Sequence, residues 1–254
     1  MSAPASAMAA YRAQAAMELR LTVRRGENLL VTLGIPVVLL IFLVGVPVVP
    51  APAGVRLVDE LVPGILALAL LSTGLVSLAI ATAFERSQGV LKRLAGSPLP
   101  TSGLLAAKTT AVVATVVVQV AIITAVGLAL GWQPRGGLGG GLAAALPWLI
   151  LGTVAHAAVG LLLAGTLRAE ATLAVANALY LLCLLVGGVV VPLTDLPSVV
   201  AVPASVLPPA LMADLLRGAL VPGGTIDLGQ GLALLAWTAV LAIAAVRGFR
   251  VEEA

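Results

Sequence analysis

The stretch FERSQGVLKRLAGSPLPTSGLLAAK, residues 84–108, is a short basic island punctuated by prolines. It lies between two apolar runs, 61–83 and 104–130, whose only charged residue is Lys108. A helix needs about 20 mostly apolar residues to cross a bilayer, and each run exceeds that. The chain therefore leaves a membrane near Phe84, turns at Gly96-Ser97-Pro98-Leu99-Pro100, and re-enters, with Thr101 or Ser102 as the expected cap of the returning helix.

Outward from the island, runs of the same kind recur. Six candidate spans are read at roughly Leu29–Val49, Leu61–Ala83, Leu104–Leu130, Leu142–Leu167, Leu173–Leu193 and Gly229–Val246. Outer-membrane strands would alternate over about ten residues, and these runs do not. The whole chain agrees: 61% of its 254 residues are hydrophobic and 10% are charged, against about 25% charged in soluble domains. Mean hydropathy is +1.15. The expected fold is an all-α membrane protein with six transmembrane helices. Residues 1–28 are read as a tail carrying an interfacial helix, 29–246 as the transmembrane domain, and 247–254 as a second tail.

Basic residues assign the sides. One side receives eleven: Arg12, Arg20, Arg24, Arg25, Arg86, Lys92, Arg93, Lys108, Arg168, Arg247 and Arg250. The other receives three, Arg56, Arg135 and Arg217. Both termini are thus expected in the cytoplasm, and the Ala- and Gly-rich composition fits a bacterial cytoplasmic membrane. Ala51-Pro52-Ala53 has the look of a cleavage site, but the preceding apolar run is too long for a signal peptide.

Shorter segments fill in the edges. Met8–Arg25 reads as an interfacial helix with Tyr11, Ala15, Glu18, Leu19 and Thr22 on one face, ended by Gly26 and Asn28. Between Thr194 and Leu228, Ser198–Leu207 and Ala210–Leu220 are too short to span and read as outer-face helices. Gly136–Gly141 reads as a flexible outer loop, because no Gly-Lys-Ser/Thr follows it to make a phosphate cradle.

Composition also removes several functions. Charge is nearly balanced and no basic stripe is interleaved with aromatics, so nucleic acid is not an expected partner. Cys183 is the only cysteine and His156 the only histidine, so neither a disulfide framework nor a Cys/His metal site is expected. A prenyl or lipid transferase would need Asp-rich metal–diphosphate motifs, and an ion-coupled secondary transporter would show mid-membrane carboxylates. The sequence contains neither feature. No catalytic residue is expected.

The intramembrane polar residues are few: Gln119, His156, Asn177 and Tyr180. Such residues are candidates for a substrate path. The simpler reading of His156 is a bond to a neighbouring helix. Asn177 and Tyr180 are three apart and share a face, lining a path or bonding a neighbour. Thr109, Thr110, Thr115 and Thr124 can bond their own helix, and Gly160 and Ala164 suit close helix packing. Pro36 and Pro47 are candidate kinks in the first span.

The order of features resembles the ABC-2 type transporter permeases, the daunorubicin-resistance type in style. The residues carrying the likeness are Glu18-Leu19-Arg20 with Arg24-Arg25, Ile35-Pro36, Glu85-Arg86, Gly89-Val90-Leu91-Lys92-Arg93-Leu94, Pro98-Leu99-Pro100, Lys108, and Leu207-Pro208-Pro209-Ala210 with Asp214-Leu215-Leu216-Arg217. Leu207 stands where the family often has Asn. The resemblance implies the membrane subunit of an ABC exporter that binds no cofactor itself. ATP and Mg²⁺ would act through a cytoplasmic ATPase subunit, and the working unit would pair this chain with a second permease copy or a paralogue amid membrane lipid. A coupling helix at about 84–96 would dock on the ATPase through Phe84, Glu85, Arg86, Gly89, Leu91, Lys92, Arg93 and Leu94. In that reading Arg86, Lys92 and Arg93 meet acidic partner residues, while Leu91 and Leu94 fill a groove. The substrate would be amphipathic or hydrophobic: a drug-like molecule, a lipid or a lipid-linked glycan.

Overall fold

The computed structural model describes residues 6–24, 26–46, 54–96, 99–189 and 192–251. Arg25, Pro47, Ala51-Pro52-Ala53 and the first residues of the Ser97-Pro98-Leu99-Pro100 turn lie outside them. Among the described residues every regular element is helical. This is the expected outcome for apolar sequence in lipid, where each backbone N–H and C=O must find its partner within the segment.

The helices are α1 (Ala7–Arg24), α2 (Gly26–Gly45), α3 (Leu57–Ser87), α4 (Val90–Ala95), α5 (Thr101–Ala129), α6 (Gly137–Thr166), α7 (Ala169–Val186), α8 (Ser198–Ala204), α9 (Pro208–Leu220) and α10 (Leu228–Gly248). Five of them, α3, α5, α6, α7 and α10, are long and apolar enough to cross a membrane. α2 has 20 residues, with a shorter apolar stretch from Val31 to Gly45. α8 and α9 form an apolar pair bent by 89°. A bend of that size within a short apolar segment is the shape of an interfacial or re-entrant hairpin.

α3 is the centre of the bundle. Its most apolar window is 72% buried, against 22% for α10 and 17% for α7, which therefore lie at the periphery. α3 carries a π-helical turn, Ser72–Ser77, in its middle. The small residues there let α6 come close: Gly74 faces His156 and Ala157 of α6, and Gly160 of α6 lies on the Gly74 and Leu75 carbonyls.

Three local expectations are corrected. Gly137–Gly141 is the start of α6, not a loop. The backbone is left-handed at Gly136 and Gly137, and Gly141 then packs against Pro134, the Arg135 carbonyl and Leu220. Tertiary packing of a 30-residue apolar helix overrides the roughly 1 kcal/mol that each glycine costs it. The island is not one helix from 84 to 96: α3 runs on to Ser87, the chain breaks at Gly89 with φ of 71°, and α4 is a separate helix of six residues. The returning helix α5 is capped by Pro100, with no side-chain cap bond from Thr101 or Ser102.

The turn before α9 has a plain solution despite its apolar Leu207. Pro208 and Pro209 occupy the first two helical positions, so two of the N–H groups a cap would satisfy do not exist. Trp237 of α10 steadies this corner, donating its indole N–H to the Val206 carbonyl at 2.8 Å.

Candidate functional site

Polar side chains gather at both ends of the bundle, and the contacts sort the loops cleanly. At the end that carries both termini, Lys108 of α5 sits between two carboxylates. Its ammonium is 2.5 Å from Glu85 Oε2 and 3.0 Å from Glu18 Oε1. The Lys108 side chain is 1% exposed and each Glu side chain 11%. Glu18 is further held by Gln14, whose amide donates to Oε1 at 2.8 Å. Three elements are thus tied at one point: α1 by Glu18, α3 by Glu85 and α5 by Lys108. Tyr11 and Thr110 add a second α1–α5 bond at 2.6 Å.

The helical face expected for α1 is the one that packs. Ala15 and Glu18 are buried, while Arg12, Arg20 and Arg24 are exposed.

Arg86, next to Glu85, is buried and donates to the Leu167 carbonyl at the α6–α7 corner. In this chain the guanidinium thus serves the fold's own α6–α7 corner. Leu91 is fully buried in the main core, so it fills a site in this chain and not a groove elsewhere. Leu94 packs against the same core. Lys92 and Arg93 are exposed on the opposite side of α4. Phe84 is also exposed, whereas Leu91 is fully buried.

Beside the ion cluster runs a groove of about 490 Å³ between α2, α3 and α7. Ile35, Val76, Ile80 and Phe84 form its apolar walls, and Ser72, Ser77, Asn177 and Tyr180 supply the polar edges. Glu85 borders both this groove and the small cavity over Lys108. Two of the four intramembrane candidates, Asn177 and Tyr180, are brought together here. Asn177 donates to the Leu173 carbonyl of its own helix and is exposed.

The other two lie elsewhere. Gln119 is buried and ties three helices: it bonds Thr73 of α3 at 2.8 Å and donates to the Thr32 carbonyl of α2 at 3.1 Å. His156 bonds Gly152 of its own helix at 2.7 Å, not a neighbouring helix, and Nε2 has no partner among the described residues. Thr109, Thr110 and Thr115 bond their own helix, but the Thr124 hydroxyl has no partner among the described residues.

At the opposite end, the three arginines that ran against the charge bias are all engaged. Arg56 pairs with Asp59 at 2.8 Å, and Asp59 also accepts from the Gln133 N–H at 2.8 Å. Arg135 donates to the Gly218 carbonyl at 3.0 Å. Arg217 pairs with Glu60 at 2.6 Å. Each is bound within the fold. The partners of Arg135 and Arg217 were not legible beforehand, because they lie far along the chain, whereas Arg56 and Asp59 are three residues apart on the opening turn of α3.

Among the described residues no group of three His, Cys, Asp or Glu side chains could hold a metal ion. The ABC-2 type transporter family model matches residues 10–221, which takes in most of α1 and all of α2 through α9. No curated protein matches the chain.

Proposed function

This chain belongs to the ABC-2 type transporter family, and on that premise we propose that it is the permease subunit of an ATP-driven exporter of amphipathic molecules in the cytoplasmic membrane. A separate subunit binds ATP and Mg²⁺ and hydrolyses the nucleotide. The end carrying both termini faces the cytoplasm, where the exposed arginines of α1 meet lipid head groups. A second permease copy or a paralogue completes the transporter.

The observation that carries the coupling reading is the construction of α4. It is short, it buries Leu91 in the core, and it presents Lys92 and Arg93 outward. Two residues before it, α3 ends next to the Glu85–Lys108 pair. A push on the exposed basic face therefore reaches the ion cluster, and with it α1 and α5, across the Gln88-Gly89 link and the buried Leu91 contact. Glu85, Arg86 and Leu91 act inside the permease to stiffen that connection, while Lys92 and Arg93 make the contact with acidic residues of the ATPase.

The groove supports the proposed substrate class. Apolar walls with hydroxyl, amide and phenol groups on the edge suit a molecule with an apolar body and a polar tip, such as a drug-like compound or a lipid.

The test is a double charge reversal, Lys92→Glu with Arg93→Glu. We expect at least a tenfold fall in co-purification of the ATPase subunit and a matching fall in transport, with the variant inserted at the parent level. Unchanged co-purification and transport would remove α4 as the contact.

A further inference from the structure

The outer ends of α3 and α7 are joined by one side chain that the coupling reading does not use. After α7 the chain makes a turn, Gly187-Gly188-Val189, that is buried throughout. Irregular backbone at that depth needs partners for its carbonyls. Arg217 of α9 supplies them: Nη1 donates to the Gly188 carbonyl at 2.5 Å and Nη2 to the Val189 carbonyl at 3.1 Å. Its Nε donates to Glu60 of α3 at 2.6 Å. Asp214, one turn back on α9, lies 3.5 Å from Nη1. The Val189 carbonyl also lies against Gly64 of α3, where a side chain would collide with it. A planar fork with several fixed donors suits this site, and a lysine ammonium could not span both carbonyls and the carboxylate.

α7 also carries Asn177 and Tyr180, which border the groove against α2 and α3. Opening that groove toward the outer face requires the outer end of α7 to move away from α3. The Arg217 fork holds those two ends together. We propose that Arg217 is an outer latch that keeps the groove closed to the external side, and that it must release Gly188 and Val189 for substrate to leave. The latch rests on the groove being the transport path, with α7 its mobile wall.

The experiment uses the assembled transporter in a Cys183→Ala background, with Asn177→Cys as a reporter and a membrane-impermeant maleimide added to right-side-out or inside-out vesicles. With Arg217 present, labelling is expected from the cytoplasmic side only. Arg217→Gln is expected to raise labelling from the outer side at least tenfold, and Arg217→Lys to give an intermediate rise. Glu60→Gln keeps a hydrogen-bonding oxygen and serves if Arg217→Gln fails to insert; a smaller rise in outer labelling is expected. Leu234→Cys, fully buried on α10, reports general loosening and is expected to stay unlabelled. Outer labelling unchanged in these variants, or equal labelling at position 234, overturns the latch. No labelling of position 177 from either side removes the groove as the path, and the latch with it.

Discussion

Lys108→Met is expected to be the most damaging single substitution at the Glu18–Lys108–Glu85 cluster. It leaves Glu18 and Glu85, both nearly buried, facing each other without the ammonium that now lies 3.0 Å and 2.5 Å from them. Removing one partner of a buried ion pair typically costs about 3–5 kcal/mol, because the remaining charge has lost both water and its counterion. Here two like charges remain, so the upper part of that range is expected. The measurement is the thermal midpoint of the purified protein in detergent, together with the yield of inserted protein; both should fall sharply. The decisive comparison is Lys108→Met combined with Glu18→Gln and Glu85→Gln. With all three charges gone, nothing is left unpaired, and replacing a whole buried ionic group by neutral residues is often close to neutral for stability. Stability is therefore expected to return. If the triple variant remains as unstable as the single one, the cluster is not the cause of the loss. If stability returns and transport does not, the charges serve the movement between α1, α3 and α5 beyond holding them in place.

The spans were legible because lipid imposes a simple rule on sequence: long apolar runs become helices whatever their neighbours do. The packed face of α1 was legible for a related reason, since Tyr11, Ala15 and Glu18 recur at helical spacing. The division into two ends followed from the arginines and lysines, and the bonds respect it: Arg86 reaches the Leu167 corner, and Asp59 reaches Gln133. What periodicity could not show was which charges face inward. Glu85 and Arg86 are expected on the docking surface of a helix at about 84–96, yet both are buried, because α3 continues past them and the break comes at Gly89. Lys108 and Glu18 are 90 residues apart, and no local pattern couples them. His156 invited a functional reading as the only histidine, but its ring bonds its own helix. The π-helical turn in α3 had no signal at all in hydropathy, since it changes the register of a helix without changing its composition.

That turn is the point where α3 and α6 meet, and it sets up the second large effect. Gly160→Val is expected to separate the two helices. A Cβ at position 160 would stand 2.7 Å from the Gly74 carbonyl oxygen and 2.8 Å from that of Leu75, and both contacts are with backbone, which cannot rotate aside as a side chain can. Gly74 has the complementary problem: a Cβ there would meet the Ala157 nitrogen at 3.2 Å. Overpacking a close contact usually costs about 1–3 kcal/mol. Valine carries two methyl groups beyond Cβ, and α3 is the most buried of the five helices long enough to span, so a value at or above the top of that range is expected. Gly160→Ala should show part of the effect, and Ala143→Val, at an exposed position of α6, provides the comparison for bulk alone. The measurement is again the thermal midpoint in detergent, paired with transport. Gly160→Val at the parent midpoint would mean that the two helices do not approach through Gly74 and Gly160. The expected result is a lower midpoint in the order alanine then valine, with transport falling faster than stability, because the wall formed by Ser72, Val76 and Ser77 belongs to the same turn of α3 and lines the groove.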